Sequence, residues 1–324
     1  MKNNLTYFFV MVFWVSGCAT DSPIDKNIVF SPPATMMSTQ SHRSRTGCTA
    51  HRSQVSQAIQ NRDLDRLENL LATLNERSDC PNSYLNDVKR SMAQIAAAEA
   101  GNVLQKGEVA EAKKWLKRAP MKVWNTQVVR GDIAAHHKQW RNAAQYFNQA
   151  IDLINDPQTT TVKPTQAEID NVFQSALDAQ LLAGEVVGPI RKRRTPIHLM
   201  TTRSVNIKIG YPMPIQFNFG GNVLSPEGEK STQKLADYIK KQRATYVTLT
   251  GHTDTKGTHR ANDKISKQRS ETVKSHLRKL GVNAKIHTDG KGKRKPLPLP
   301  RWKNLTKAEI DQRNRRVEFT MNSN

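Results

Sequence analysis

The sequence places one cation on a helix face that is otherwise apolar. Ile265, Val273 and Leu277 recur at helical spacing, and Arg269 lies four residues from each of the first two. A guanidinium that is shielded from water needs an anionic partner, because an unpaired buried charge is costly. The best candidate is Asp254, in the turn GHTDTKG that precedes this segment. The two side chains therefore form a candidate site for charged groups.

Strands and helices alternate around these two residues. Apolar and polar residues alternate over short segments, which predicts strands at 205–209, 215–219, 246–249, around Ile286 and at 317–319. Ser225 and Asn262 are good N-caps and predict two intervening helices, the second of which ends at Leu280, before Gly281. The order predicts an α+β domain with a β-α-β-α-β core.

A set of glycine, aromatic and charged positions follows a fixed order along this C-terminal region. Its members are Phe217, Phe219, Gly251, Thr253, Asp254, Gly257, Asn262, Ser266, Arg269, Gly290, Gly292, Pro296, Asn314, Arg315, Arg316 and Val317. In this order and spacing the region, from about residue 207 to 319, resembles the OmpA-like peptidoglycan-binding domain. That domain also occurs in peptidoglycan-associated lipoproteins and flagellar stator proteins, so the resemblance implies non-covalent binding to peptidoglycan.

The resemblance also implies a ligand. Asp254 and Arg269 would hold the diaminopimelate side chain of the peptide stem, which ends in both an ammonium and a carboxylate. Asp254 can accept hydrogen bonds from the ammonium, while Arg269 grips the carboxylate in fork geometry. Thr253, Asn262 and Arg315 complete the candidate site, although Asn262 could instead hold the neighbouring loop and Arg315 could instead stabilise the fold. The alternative for Asp254 and Arg269 is a simple ion pair with each other.

The charge of the chain is concentrated in this region. The formal net charge is +22, and residues 191–324 hold 30 Lys and Arg against 10 Asp and Glu, whereas residues 1–190 hold 20 against 18. Gly220 stands where the family often has Asp, and the loop at 291–295 is unusually basic. A field of one sign favours an anionic partner and would add attraction to carboxylates of the sacculus.

The N-terminus has the features of an export signal. Lys2 precedes an apolar run at 5–15 that is too short to span a bilayer comfortably. The stretch VSGC resembles the lipobox of bacterial lipoproteins, which implies cleavage before Cys18 and its acylation. The residue after Cys18 is Ala19. In lipoproteins an Asp at this position often signals retention in the inner membrane, so the resemblance implies the outer membrane, with the protein facing the periplasm. The alternative is an ordinary secretory signal peptide that is cleaved nearby. Export would also exclude nucleic acid as a partner, because the basic region would lie in a compartment without chromosome or ribosomes.

The length of 324 residues predicts two folded domains. We expect the following segments: 1–17 a signal peptide, 18–47 the lipidated cysteine and a disordered tether, 48–190 a helical domain, 191–204 a basic junction, and 205–324 the OmpA-like domain.

The helical domain shows a weak internal repeat. Ala112, Leu116 and Ala119 share their spacing with Ala143, Phe147 and Ala150, 31 residues later, and Gly131 and Trp140 occupy the small and aromatic positions of a tetratricopeptide repeat. The period of that family is 34 residues, so the safer expectation is a small stack of helical hairpins. Cys48 and Cys80 could form a disulfide in an oxidising periplasm or remain two unpaired thiols.

No catalytic or metal-binding spacing is recognisable, because the histidines fall in unrelated predicted elements. The sequence therefore predicts a non-enzymatic, lipid-anchored outer-membrane protein without cofactor or metal. It would tether the outer membrane or an attached complex to peptidoglycan, while the helical domain offers a surface to another envelope protein. The alternative is a structural component of an envelope-spanning secretion or motility machine that wall binding positions.

Overall fold

The computed structural model describes residues 47–190, 211–218, 220–302 and 304–322. The predicted signal peptide, Cys18, the tether up to residue 46, the basic junction, the strand at 205–209 and Phe219 lie outside the described residues. Within the described ranges, no helix is both long and apolar enough to cross a membrane.

The N-terminal region is helical, as the apolar spacing predicts. A short 3₁₀ turn at Cys48–His51 is followed by α1 (Arg52–Gln60), α2 (Leu64–Asn75), α3 (Asn82–Gln105), α4 (Val109–Lys117), α5 (Trp124–His136), α6 (Trp140–Asn155) and α7 (Gln166–Ala183). Helices α2 to α4 pack in sequence, as do α5 to α7, and α5 also packs on α3. The helical region is therefore a continuous stack.

Side-chain caps explain where several of these helices begin and end. The carboxylate of Asp63 accepts a hydrogen bond from Arg66 N at 2.9 Å at the start of α2. Thr165 and Glu168 form a capping box at the start of α7. The same helix ends at Gly184, whose φ of 73° is left-handed. Glycine adopts this conformation without a steric penalty, so it stops α7 at a defined residue.

The two residues that suggested a repeat lie on facing helices. Gly131 is in α5, and Trp140 is the first residue of α6. A Cβ atom at Gly131 would come within 2.6 Å of Cε1 of Phe147, so the glycine permits close packing of α5 on α6. The assignment of these helices to the tetratricopeptide family stays a prediction.

Cys48 and Cys80 are joined by a disulfide, with their Cα atoms 5.0 Å apart. The carboxylate of Asp79 also accepts a hydrogen bond from Cys48 N at 2.8 Å. The bond links the 3₁₀ turn to the start of α3 and closes a loop that contains α1 and α2. It therefore restricts the unfolded chain at its N-terminal end.

The sheet domain follows, and it confirms the predicted α+β class. Its elements are β1 (Tyr211–Met213), α8 (Pro226–Lys241), β2 (Tyr246–His252), α9 (His259–Lys279), β3 (Lys285–Gly292), α10 (Lys307–Asn314) and β4 (Val317–Asn322). The strand order is β1-β4-β2-β3. Strands β2 and β3 are parallel, whereas β4 is antiparallel to both β1 and β2. The last strand of the chain thus lies in the centre of the sheet.

The core of this domain lies between the sheet and helices α8 and α9. Val247 and Leu249 alternate with half-buried neighbours along β2 and are completely buried. Leu235 of α8 and Leu277 of α9 are equally buried in the same cluster. Burial of each such leucine contributes about 1.5 to 3 kcal/mol to folding. This cluster holds the helix that carries Arg269 against the sheet.

Two local predictions from the sequence were wrong, and one helix was missed. The second helix begins at His259 and not at Asn262, because Thr258 Oγ1 accepts a hydrogen bond from Ala261 N and caps it. Instead of the strand predicted at 215–219, the described residues form one isolated bridge, between Phe217 and Leu224. Just before it, Ile215 N donates a hydrogen bond to the Met213 carbonyl in a tight turn. Helix α10 was not predicted at all.

Buried ion pairs and aromatic rings join the helical region to the sheet domain. Arg313 of α10 pairs with Asp178 of α7, with side chains only 1% and 4% exposed. Arg301 and Trp302 both donate to the carboxylate of Asp132 in α5. The Trp302 ring lies 5.4 Å from that of Trp140 between centroids. The ion pair joins α10 to α7, and the other contacts join residues 301 and 302 to α5 and α6.

We expect Arg313→Met to destabilise the protein strongly. The change would leave the Asp178 carboxylate buried and unpaired, which costs about 3 to 5 kcal/mol when one partner of a buried pair is removed. Urea denaturation followed by circular dichroism measures the free energy of unfolding. The control is Arg294→Met, which breaks the half-exposed pair with Asp263 and should change stability little. Equal losses for the two variants would contradict the structural role of the buried pair.

Reduction of the disulfide should also lower stability. Its closed loop spans 32 residues, for which the chain-entropy account gives about 3 to 4 kcal/mol. Thermal denaturation with and without dithiothreitol tests this for the unmodified chain. The Cys48→Ala, Cys80→Ala double variant should melt at the temperature of the reduced protein and should not respond to dithiothreitol. A dithiothreitol effect in the double variant would show that the loss has another cause.

Candidate ligand-binding cleft

A cavity of about 590 Å³ lies where the sheet domain meets the end of α7. Asp254, from the turn after β2, and Arg269 of α9 both line it. Arg315, the residue directly after α10, lines it as well. The fold therefore brings together two charged side chains that lie 15 residues apart in the sequence, and it adds a third from the C-terminal end.

Backbone hydrogen bonds hold Asp254 in place, just after the end of β2. Thr253 is buried, and its N–H donates to the Gly292 carbonyl at 3.0 Å, which ties the turn to β3. Lys256 N donates to Asp254 Oδ1 at 3.0 Å, so the carboxylate closes a short local turn. Its other oxygen, Oδ2, accepts a hydrogen bond from Arg315 Nη1 at 2.9 Å. Oδ1 of Asp254 is thus bound to the backbone of its own turn, and Oδ2 is bound to the guanidinium of Arg315.

Arg269 is buried, and it forms no ion pair with any of the described residues. Its side chain lies in α9 with the residue only 8% exposed, its Nε donates to the Gly221 carbonyl at 3.1 Å, and its Cζ lies 5.0 Å from the centroid of the Phe217 ring. The terminal Nη atoms make no hydrogen bond within the described residues. Burial lowers the pKa of the guanidinium, the nearby Arg315 lowers it further, and Asp254 opposes the shift. An anion in the cleft would therefore be favoured next to Arg269.

Two glycines let α9 approach the sheet closely enough to aim Arg269. A Cβ atom at Gly251 of β2 would overlap the carbonyl oxygen of Ser266 in α9. One at Gly290 of β3 would lie 2.6 Å from Lys267 N. Ser266 Oγ in turn accepts a hydrogen bond from Gly292 N at 3.0 Å. Backbone contact therefore fixes α9 one turn before the arginine.

Comparison with known proteins places this region in a family. Residues 216–304 match the OmpA family. The C-terminal region is an OmpA family domain. This confirms the resemblance inferred from the residues for this domain, whereas the lipoprotein signal stays a prediction.

The relatives of the OmpA family domain are envelope proteins by name. A protein named Probable lipoprotein YiaD, from Escherichia coli (strain K12), is 34% identical over 123 residues, which are 38% of this chain and 54% of that protein. Outer membrane protein A of Bordetella avium is 36% identical over 104 residues, 32% of this chain and 51% of that protein. The chain therefore spans about half the length of these curated relatives.

Solved structures of OmpA-like domains are also similar to this chain. The peptidoglycan-associated lipoprotein from Burkholderia pseudomallei has 28% sequence identity, with a TM-score of 0.29, and the match covers 33% of this chain and 88% of that one.

The remaining candidate residues of the OmpA family domain have distinct positions. Asn262 Nδ2 donates to the carbonyls of Lys256 and Thr258, at 2.7 and 2.9 Å, so its amide hydrogens hold the loop before α9. Thr253 Oγ1 donates to the Asp254 carbonyl at 3.1 Å. Arg315, 40% exposed in its side chain, is the ion-pair partner of Asp254. Thus Asp254 and Arg269 share a cleft, but Asp254 does not form an ion pair with Arg269 in the described structure.

Sequence reasoning missed other residues of the cleft. Asp311 of α10 lines it and is only 2% exposed, with Lys307 Nζ at 3.4 Å and Lys256 Nζ at 3.7 Å from its carboxylate. The signal that could have found α10 is the capping box formed by Thr306 and Glu309, which is visible as TKAE in the sequence. Without this helix, Arg315 had no defined position relative to Asp254.

The basic loop of the OmpA family domain lies beside the turn that holds Asp254. Lys293 Nζ donates to the Gly257 carbonyl at 2.7 Å. Arg294 pairs with Asp263, and Lys291 pairs with Asp289 at 2.8 Å. Part of this positive charge is therefore balanced locally. Among the described residues, no cluster of His, Cys, Asp and Glu is arranged to hold a metal ion.

We expect Asn262→Ala to loosen the turn that carries Asp254. The substitution removes both side-chain hydrogen bonds to the loop, although the Thr258 carbonyl still accepts from the backbone N–H of residue 262. A typical hydrogen bond contributes about 0.5 to 1.5 kcal/mol. Hydrogen exchange of the amides at 253–258 should accelerate, as measured by mass spectrometry. The control is Asn102→Ala, on the exposed side of α3, which should leave these amides unchanged. Unaltered exchange in Asn262→Ala would contradict the loop-holding role.

Proposed function

We propose that the OmpA family domain binds peptidoglycan non-covalently and takes the diaminopimelate side chain of a peptide stem in its cleft. The observation that carries the proposal is the shared position of two opposite charges. A buried guanidinium, whose Nη atoms make no hydrogen bond to any of the residues that the structure describes, and a carboxylate line the same cavity. A ligand tip with an ammonium and a carboxylate complements both groups.

The proposed contacts follow from the charges of the two side chains. The ligand carboxylate accepts two parallel hydrogen bonds from Arg269, and its ammonium donates to Asp254. Each charge-assisted hydrogen bond contributes about 1.5 to 3 kcal/mol. Arg315 now occupies Asp254 Oδ2, so it either shares this oxygen with the ligand or moves to the ligand carboxylate. The ring of Phe217 under Arg269 limits the orientation of the guanidinium.

The proposed location is the outer membrane, facing the periplasm. Cys18 in its lipobox-like sequence would carry the lipid anchor, and the relatives named as a lipoprotein and an outer membrane protein support this assignment. Attachment at both the membrane and the wall raises the effective concentration of each partner for the other. A modest affinity for peptidoglycan then becomes a firm link, and no enzymatic step is needed.

The helical region is proposed to be the part that contacts another envelope protein. Its stack of helices α1 to α7 exceeds what is needed to space a wall-binding domain from a membrane, and the tether would already supply reach. A pull-down with the full chain, cross-linked in intact cells, should capture one stoichiometric envelope protein. Capture of peptidoglycan alone would support a simple tether.

We expect Asp254→Ala and Arg269→Ala to abolish co-sedimentation of the full chain with purified sacculi. Each variant removes one of the two charges that the ligand needs. Arg269→Lys keeps the charge without the fork geometry and should bind with intermediate strength. Circular dichroism should match that of the unsubstituted chain.

The controls for this experiment change the same residue types outside the cleft. Asp237→Ala on α8 and Arg260→Ala on α9 are both at exposed positions and should co-sediment normally. Sacculi that have been incubated with the protein should release no soluble muropeptides. Retained binding in both cleft variants would refute the proposed site.

A further inference from the structure

The helical region contributes residues to the cleft. Leu181 and Gly184, at the end of α7, line the same cavity as Asp254 and Arg269. The sequence assigned the ligand to the OmpA family domain alone, where all the predicted ligand-binding residues lie. One wall of the cleft therefore comes from the end of α7, in the helical region.

This wall is held rigidly by α10. The side chain of Gln312 donates from Nε2 to the Leu182 carbonyl at 2.9 Å. The next residue, Arg313, makes the buried ion pair with Asp178. Both bonds join α10 to α7 within one turn of the cleft residues. The wall that α7 contributes to the cleft is thus anchored to α10 by specific side-chain contacts.

The cavity has the size of a small-ligand pocket. Its volume of about 590 Å³ lies within the range of about 300 to 1,000 Å³ that accommodates drug-sized ligands. The proposed charge contacts use only Asp254, Arg269 and Arg315. The lining residues on the side of α7 are not used by these contacts.

Three residues with carboxamide side chains line the cavity, Gln216, Asn218 and Gln312, and the first and last of them lie beside Gly184. Within the described residues, the Gln216 amide makes no hydrogen bond, and Gln312 Oε1 accepts none. A carboxamide offers both a donor and an acceptor, which matches the N–H and C=O of a peptide bond.

We infer that the end of α7 and the amides of Gln216 and Gln312 form a second subsite, which binds the peptide bonds adjacent to diaminopimelate in the stem. The inference rests on the proposed function, because it extends the same ligand along its own chain. The helical region then contributes directly to peptidoglycan recognition.

The test compares two ligands with the full chain by isothermal titration calorimetry. Free diaminopimelate reaches only the charged residues, whereas a soluble stem tetrapeptide that contains diaminopimelate reaches both subsites. We expect the tetrapeptide to bind about tenfold more tightly, the equivalent of one or two net hydrogen bonds. Equal affinities would overturn the inference while leaving the proposed function intact. Absence of binding by both ligands would overturn the two together.

A matched pair of variants examines the wall from α7. Gly184→Asn keeps a residue that tolerates the left-handed backbone, but its side chain must displace the Gln216 amide, and its Cβ would lie 3.2 Å from Gln312 Nε2. It should reduce the affinity for the tetrapeptide to that for free diaminopimelate and leave the latter unchanged. Gly188→Asn has nearly the same φ, 74° against 73°, at an exposed position outside the cleft, and should behave like the unsubstituted chain.

A second variant covers the case in which Gly184→Asn does not fold. Gln216→Ala removes one amide without altering the end of α7, and it should also lose the preference for the tetrapeptide. If Gln216→Ala retains the full tenfold preference, or if Gly188→Asn loses it, the second subsite is refuted.

Discussion

The cleft depends on a cation that has been withdrawn from water. Arg269 is supported by a carbonyl and an aromatic ring, neither of which carries a compensating charge. The carbonyl and the ring therefore hold the guanidinium in position, but they do little to neutralise its positive charge. An anionic group that enters meets donors that are already oriented and only weakly hydrated. This constraint explains why the packing of α9 on the sheet, through Gly251 and Gly290, is so close.

Helix α10 connects this site to the rest of the molecule. Arg313, within it, pairs with the helical region, while Arg315, directly after it, pairs with Asp254. Both arginines lie at the C-terminal end of this eight-residue helix. The same end of α10 therefore contacts the helical region and the cleft.

The positive charge of the C-terminal region has two different roles. Exposed lysines and arginines of the basic loop are near carboxylates or loop carbonyls, and salt screens their attraction to other anions over about 10 Å. Arg269 is shielded from that screening by burial. The surface charge is thus open to screening, whereas the buried charge acts only within the cleft.

The class of the fold, the helical nature of the N-terminal region and the two charged residues at the cleft could all be predicted from the amino-acid sequence. These features follow from local periodicity, from glycines and from a residue type that does not fit its helix face. The pairing of Asp254 with Arg315 and the contribution of α7 to the cleft could not be predicted in this way. Both results depend on α10 and on ion pairs between residues more than 100 positions apart, such as Asp178 and Arg313. Local patterns carry no information about such pairs, because their geometry exists only after the two regions have packed together.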